Sequence, residues 1–163
     1  MRRRKQYVHD NCPRCNAPLE HLVHILTCPH PEVRTIISDL LIKLEAWFAQ
    51  EDTYPSLTPI LIASIRSWLL DPYGDEPAFL WPSPLLCEAI ITQQQVGWYA
   101  FLMGFIANPI VSLQNSYYKS IDSKKKGTTW ATRLIIKSWN LVYHLWTHRN
   151  SVLHETQALD ALS

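Results

Sequence analysis

Glycine is scarce in this chain: there are four among 163 residues, at Gly74, Gly97, Gly104 and Gly127. They never cluster, so no glycine-rich phosphate cradle is present. A sheet protein full of tight turns would need more of them, whereas the eleven prolines suit helices that start on proline. Long apolar runs are missing too. No uncharged stretch approaches the roughly 20 residues that cross a bilayer, and the opening "MRRRKQYVHD" has positive charge with no apolar segment behind it, unlike a secretory signal. Strand-like alternation, internal repeats and low-complexity segments are also lacking. The sequence therefore predicts an all-α, soluble, intracellular protein, nuclear or cytoplasmic, with no membrane partner.

Apolar residues make up 47% of the chain and aromatics 11%, with seven tryptophans, enough for a packed core. The net charge is only +1, but residues 1–34 carry +3, residues 35–110 carry −6 and residues 111–163 carry +4. Basic ends flank an acidic middle. Nucleic-acid contact is thus confined to local patches, Arg2 to Lys5 and Lys124 to Lys126, each of which is otherwise a solvated tail or loop.

Helical periodicity is strong in "PEVRTIISDLLIKLEAWFAQ", where Val33, Ile36, Ile37, Leu40, Leu41, Leu44, Trp47 and Phe48 fall at three- and four-residue steps. "TPILIASIRSWLL" starts from Thr58 and Pro59, "SPLLCEAIITQQQ" from Ser83 and Pro84, and "NPIVSLQNSYYKSI" from Asn108 and Pro109. The proline-rich, acidic stretch over 71–82 is the candidate linker. A last long helix is expected from about Thr129 to Glu155, with Trp139, Val142, Trp146 and Leu153 as its stripe. The expected architecture is an N-terminal module over 1–31, a helical domain over 32–155 and a short tail over 156–163. Its five- to six-helix bundle draws much of its core from Trp47, Trp68, Trp98, Trp139 and Trp146.

The chemistry is concentrated in "CPRCNAPLEHLVHILTC". Its pattern is Cys-x2-Cys-x8-His-x3-Cys, with Cys12, Cys15, His24 and Cys28 as the four ligands of one tetrahedral zinc ion. A tight turn presents Cys12 and Cys15, and a short helix puts His24 and Cys28 on one face, one turn apart. His21 competes for the fourth position, but two turns, about 10 Å, separate it from Cys28. His21 and His30 are then surface or supporting groups, and Glu20 is placed to accept from a ligand imidazole. Buried thiols, or one disulfide with a thiol left over, are the plainer reading of such cysteines, but a helical His-x3-Cys after CxxC favours metal. Four protein ligands leave no position for water, so the ion is structural. A hairpin too short to bury its own core would be closed by the ion and docked on the bundle.

This segment resembles the zinc-binding region that follows the polymerase domain in non-LTR retrotransposon reverse transcriptases. "LVYHLWTHRNSVLHE", with Trp146, Arg149 and Asn150, is similar to the helix downstream of that region, and "GWYAFLMGF" to a stretch of related element-derived proteins. The resemblance covers both ends of the chain and thins between about residues 50 and 95. It implies either a C-terminal piece of a larger parent protein with an upstream polymerase domain, or a detached, domesticated remnant. No paired-aspartate motif of a polymerase palm is present, since Asp39, Asp52, Asp71, Asp75 and Asp122 stand apart, so no catalytic residue is carried over.

Other chemistry is thinly supported. His144 and His148 lie one turn apart without a third ligand, and Cys87 lies on an apolar helix with no histidine nearby, which suits a core thiol. Arg149 and Asn150 suit contact with a phosphate or base, or, respectively, an ion pair with the acidic middle and a bond to a helix end. "SYYKSIDSKKKGTTW" offers Tyr117, Tyr118 and Trp130 for stacking and Lys119, Lys124, Lys125 and Lys126 for phosphates, although aromatics at such spacing commonly fill a core. Arg2, Arg3, Arg4, Lys5 and Arg14 form a second basic patch. The expected function is non-catalytic binding of template RNA or target DNA beside a reverse transcriptase; the alternative is a protein interaction module that never touches nucleic acid.

Overall fold

Prolines begin three of the helices. In the structure, a computed structural model that describes residues 11–163, Pro31 opens α2 (Pro31–Gln50), Pro84 opens α4 (Pro84–Val96) and Pro109 lies in the first turn of α6 (Asn108–Ser120). The fixed φ of proline suits the first helical turn, whose N–H groups have no partner within the helix. Ser83 caps α4, its Oγ accepting the Leu86 N–H at 3.2 Å. The remaining helices are α1 (Leu22–Thr27), α3 (Leu57–Leu70), α5 (Trp98–Leu102) and α7 (Gly127–Leu162). The described residues contain no strand, so the all-α expectation holds, with six helices in the bundle and α1 in the N-terminal module.

Helix α7 is the spine. It packs on α1, α2, α5 and α6, while α2 packs on α3 and α4 on α6. The core joins Val33, Ile37, Leu41 and Phe48 to Leu61, Ile65, Trp130, Leu134 and Leu145, and it continues without a break into Cys12, Leu26 and Cys28. The N-terminal module is therefore docked on the bundle. At the α6–α7 crossing a Cβ on Gly127 would lie 2.6 Å from the Val111 carbonyl oxygen, so only glycine admits the helices this closely.

Two buried glutamines pin the loops. Gln114 accepts the Tyr54 N–H at 2.8 Å and donates to the Asp52 carbonyl at 3.1 Å. Gln93 accepts the Ala107 N–H at 2.7 Å and donates to the Phe105 carbonyl at 3.2 Å. Each amide satisfies backbone groups that a buried turn would otherwise leave unpaired. Helix is absent from 71 to 83, where Glu76 accepts from the Trp98 indole at 3.2 Å.

The core of α7 differs from the expectation. Trp139 is 55% and Trp146 41% exposed, whereas Trp130 is buried, together with Leu134, Ser138, Leu141 and Leu145. The helix is apolar on two faces, and the tryptophan stripe is the one turned outward. It also runs past Glu155 to Leu162, through "TQALDAL", which lacks any helix breaker. The start of α3 is shifted as well, with Ser56 rather than Thr58 at the cap.

Candidate metal centre

The turn "CPRCNA" closes on itself. Cys12 N–H donates to the Ala17 carbonyl and Asn16 N–H to the Cys12 carbonyl, both at 2.8 Å, and Asn16 takes a left-handed φ of 61°. Asparagine tolerates that region better than most residues. The turn holds two thiols on one side, and α1 supplies the other two donors. His21 caps α1 by accepting the His24 N–H on Nδ1, and Thr27 ends the helix, leaving Cys28 as its C-cap.

The four predicted ligands converge. One donor atom each from Cys12, Cys15, His24 and Cys28 lies within 4.8 Å of every other, and among the described residues this is the one such group of metal-binding side chains. Cys12 and Cys28 sulfurs are 3.9 Å apart and Cys15 Sγ is 3.2 Å from His24 Nε2. A tetrahedron with zinc–sulfur bonds of about 2.3 Å has edges of about 3.8 Å, so the spacing fits one ion. All four cysteines of the chain are free thiols, and Cys87 is not in this group.

The two shifted donors would meet a metal differently: His24 already in its ligating form, Cys28 only on giving up its proton. Burial pushes the Cys28 thiol up to about 12, the neighbouring Cys15 and Cys12 adding to it while the His30 backbone and Arg14 oppose. Burial also holds His24 below its ordinary value, with Arg14 and His21 pushing the same way and Glu20 the other, so the imidazole is neutral at pH 7 and free to donate its lone pair.

Two charged residues beside the ligands behave differently from their sequence assignments. Arg14, expected in a basic nucleic-acid patch, is 7% exposed; its Nη2 donates to the Ile25 carbonyl at 2.6 Å, and its Nε and Nη1 are buried without a partner. Glu20, expected on a ligand imidazole, accepts from Arg149 Nε at 2.9 Å and from Nη2, and its side chain is 5% exposed. That pair removes Arg149 from phosphate contact and ties α7 to the module; Asn150 turns back to Arg149 rather than to a helix end. His148 reaches Glu32 of α2 at 3.0 Å, and His30 caps α2. Neither the Glu20–Arg149 nor the Glu32–His148 pair has a sequence signal beyond the residue types, because the partners lie more than a hundred residues apart.

No protein-family model, curated protein or solved structure matches the chain. No helix among the described residues is long and apolar enough to cross a membrane.

The predicted nucleic-acid residues divide. Arg2, Arg3, Arg4 and Lys5 lie outside the described residues. Lys119, Lys124, Lys125 and Lys126 are exposed, and the last three line a cleft of about 380 Å³ with Arg133, Thr129 and Glu51. Lys125 pairs with Asp52 at 2.8 Å and Arg133 with Glu51 at 3.1 Å, whereas Lys124 and Lys126 make no ion pair among the described residues. Tyr118 and Trp130 cannot stack on bases, since both are 1% exposed. Their polar ends serve the fold: Tyr118 donates to the Glu51 carbonyl at 2.6 Å and Trp130 to Thr53 Oγ1 at 2.9 Å. Tyr117 is half-buried against Tyr54, with ring centroids 5.2 Å apart.

Proposed function

We propose that Cys12, Cys15, His24 and Cys28 hold one structural zinc ion, and that the chain is a non-catalytic accessory region of a retroelement-type reverse transcriptase that binds template RNA or target DNA. The convergence of three thiols and one imidazole nitrogen, all within 4.8 Å, carries the metal assignment. Every position of a tetrahedral ion is then filled by protein, which leaves it a folding role and no site for a reacting water. For nucleic acid, support comes from the cleft where Lys124 and Lys126, without an ion pair among the described residues, stand beside Lys125 and Arg133. Glu51 and Asp52 offset only two of those four cations, so the cleft keeps a positive field for phosphate.

Metal analysis of the purified chain should give one zinc per molecule, retained in Cys87→Ser and lost in Cys15→Ser. Binding to a labelled duplex should weaken steeply with salt, and Lys124→Glu with Lys126→Glu should lower both the affinity and the salt slope. A salt-independent response would instead support the second reading, a protein interaction module. That reading draws on the segment before α4, where Leu80 is 98% and Tyr73 85% exposed.

A further inference from the structure

The loop between α6 and α7 carries Lys124, Lys125 and Lys126, and it is fixed at two points. Lys125 N–H donates to Ser123 Oγ at 3.2 Å, and Gly127 N–H donates to Asn115 Oδ1 of α6 at 3.0 Å. No carboxylate in the first turn of α7 answers the three lysines. The cleft beneath them has a firm floor, because the buried rings of Tyr118 and Trp130 are bonded to the Glu51 carbonyl and to Thr53. A backbone held in this way spares a ligand the cost of ordering the loop.

Charge is unevenly placed around that floor. Arg133 spends only Nη1 on Glu51, reaching its two oxygens at 3.3 and 3.1 Å, so its Nε and Nη2 make no hydrogen bond among the described residues. Four cations less the carboxylates of Glu51 and Asp52 leave two positive charges in surplus at a cleft of about 380 Å³. That volume is at the small end of ligand pockets, which span about 300–1,000 Å³. A terminal phosphomonoester carries about −1.5 to −2 near pH 7 on three acceptor oxygens, whereas each internal phosphate of a strand carries a single charge. The surplus matches the first. The α2–α3 turn also puts Glu51 and Asp52 on one side of the lysines, so a strand crossing to that side sets its next phosphate against carboxylates, and a strand that ends in the cleft does not. We infer that this cleft takes the terminal phosphomonoester of a nucleic-acid strand, with Lys124, Lys126 and the Nε–Nη2 edge of Arg133 toward its oxygens. The inference rests on the nucleic-acid reading above and narrows it from phosphates along a strand to a strand end.

The test uses the full, zinc-loaded chain and an internally labelled 12-base-pair duplex in three forms: phosphate at its 5′ ends, phosphate at its 3′ ends, and hydroxyl at every end. At least one phosphorylated form should bind about fivefold tighter than the hydroxyl form, the gain from one further charge near a surface. Lys124→Gln with Lys126→Gln should remove that preference, and because both lysines are exposed the double variant should melt as the wild type does. Lys43→Gln, which takes a charge from α2 outside the cleft, should keep the preference. Excess adenosine 5′-monophosphate should bring the phosphorylated duplex down to the affinity of the hydroxyl form. A preference that survives in the double lysine variant places the phosphate elsewhere and overturns the assignment. Competition by adenosine 5′-monophosphate with no preference among the duplexes overturns the strand end and makes the cleft a site for small phosphates. Equal, salt-dependent binding of all three duplexes without such competition defeats this inference alone; no binding of any of them defeats the functional reading as well.

Discussion

Arg14 is a buried cation with two unpartnered nitrogens, and it sits between two of the ligand cysteines in sequence. Three thiolates, one imidazole and a divalent ion leave one net negative charge. The guanidinium supplies the matching positive charge, which makes its burial beside this donor set intelligible; without the ion, its burial would be costly and unexplained. Arg14→Met should therefore lower zinc affinity by about 10- to 100-fold, with Arg14→Lys between that variant and wild type. Competition with a chromophoric chelator measures this, and equal affinities would disconnect Arg14 from the centre. The four converging donors are legible in the sequence because their spacing is short enough for local geometry to choose, here His24 over His21. The roles of Arg14, Tyr118 and Trp130 are not, since an arginine or an aromatic reads the same buried or exposed until the tertiary neighbours are known.

At the level of elements, two kinds of polar clamp hold helices that local sequence cannot connect. The first is Glu20 with Arg149, joining the module to α7. Removing one partner leaves a charge in a poorly solvated place, so Arg149→Leu should destabilise the fold by about 3 kcal/mol, while Glu20→Leu with Arg149→Leu should recover much of that loss. Urea titrations of the single and double variants check it. The second clamps the α2–α3 turn to α6 through Gln114 and Tyr118, and to the loop after α6 through Lys125. Burial raises the Tyr118 phenol above its usual value, and the hydrogen bond to Asp52 does the same, as the first cause, for Lys125. Both groups hold their protons more tightly folded than unfolded. Their contributions are thus intact below about pH 10 and are lost as pH rises through the raised values. The urea midpoint should fall above about pH 10, and Tyr118→Phe should flatten part of that fall at a cost of about 1 kcal/mol near neutrality. Helix starts were readable from Pro31, Ser83 and Pro84, because capping is local. The outward tryptophans of α7 were not, since a helix apolar on two faces gives periodicity no way to choose the buried one.

For the molecule as a whole, helix α7 joins the N-terminal module to α2, α5 and α6. The charge layout seen in sequence, basic ends around an acidic middle, becomes contact in three dimensions: Arg133 and Lys125 from the basic C-terminal part meet Glu51 and Asp52 of the middle. The N-terminal module meets α7 at its far end through Arg149, and Cys12 and Cys28 are part of the same core as Leu145. A metal that closes the module therefore also fixes Glu20 and, through it, the stretch of α7 around Trp146. Beyond that point most of the apolar core, from Ile37 through Leu134, is supplied by the bundle's own helices. Stripping zinc with a chelator should consequently speed amide exchange over residues 12–28 and around residues 146–153 of α7, while α2 to α6 keep their protection. Global loss of protection would mean that the ion supports the entire fold, and no change anywhere would mean that the module closes without it. The selective pattern is the one expected of a knuckle latched to the end of a self-sufficient bundle.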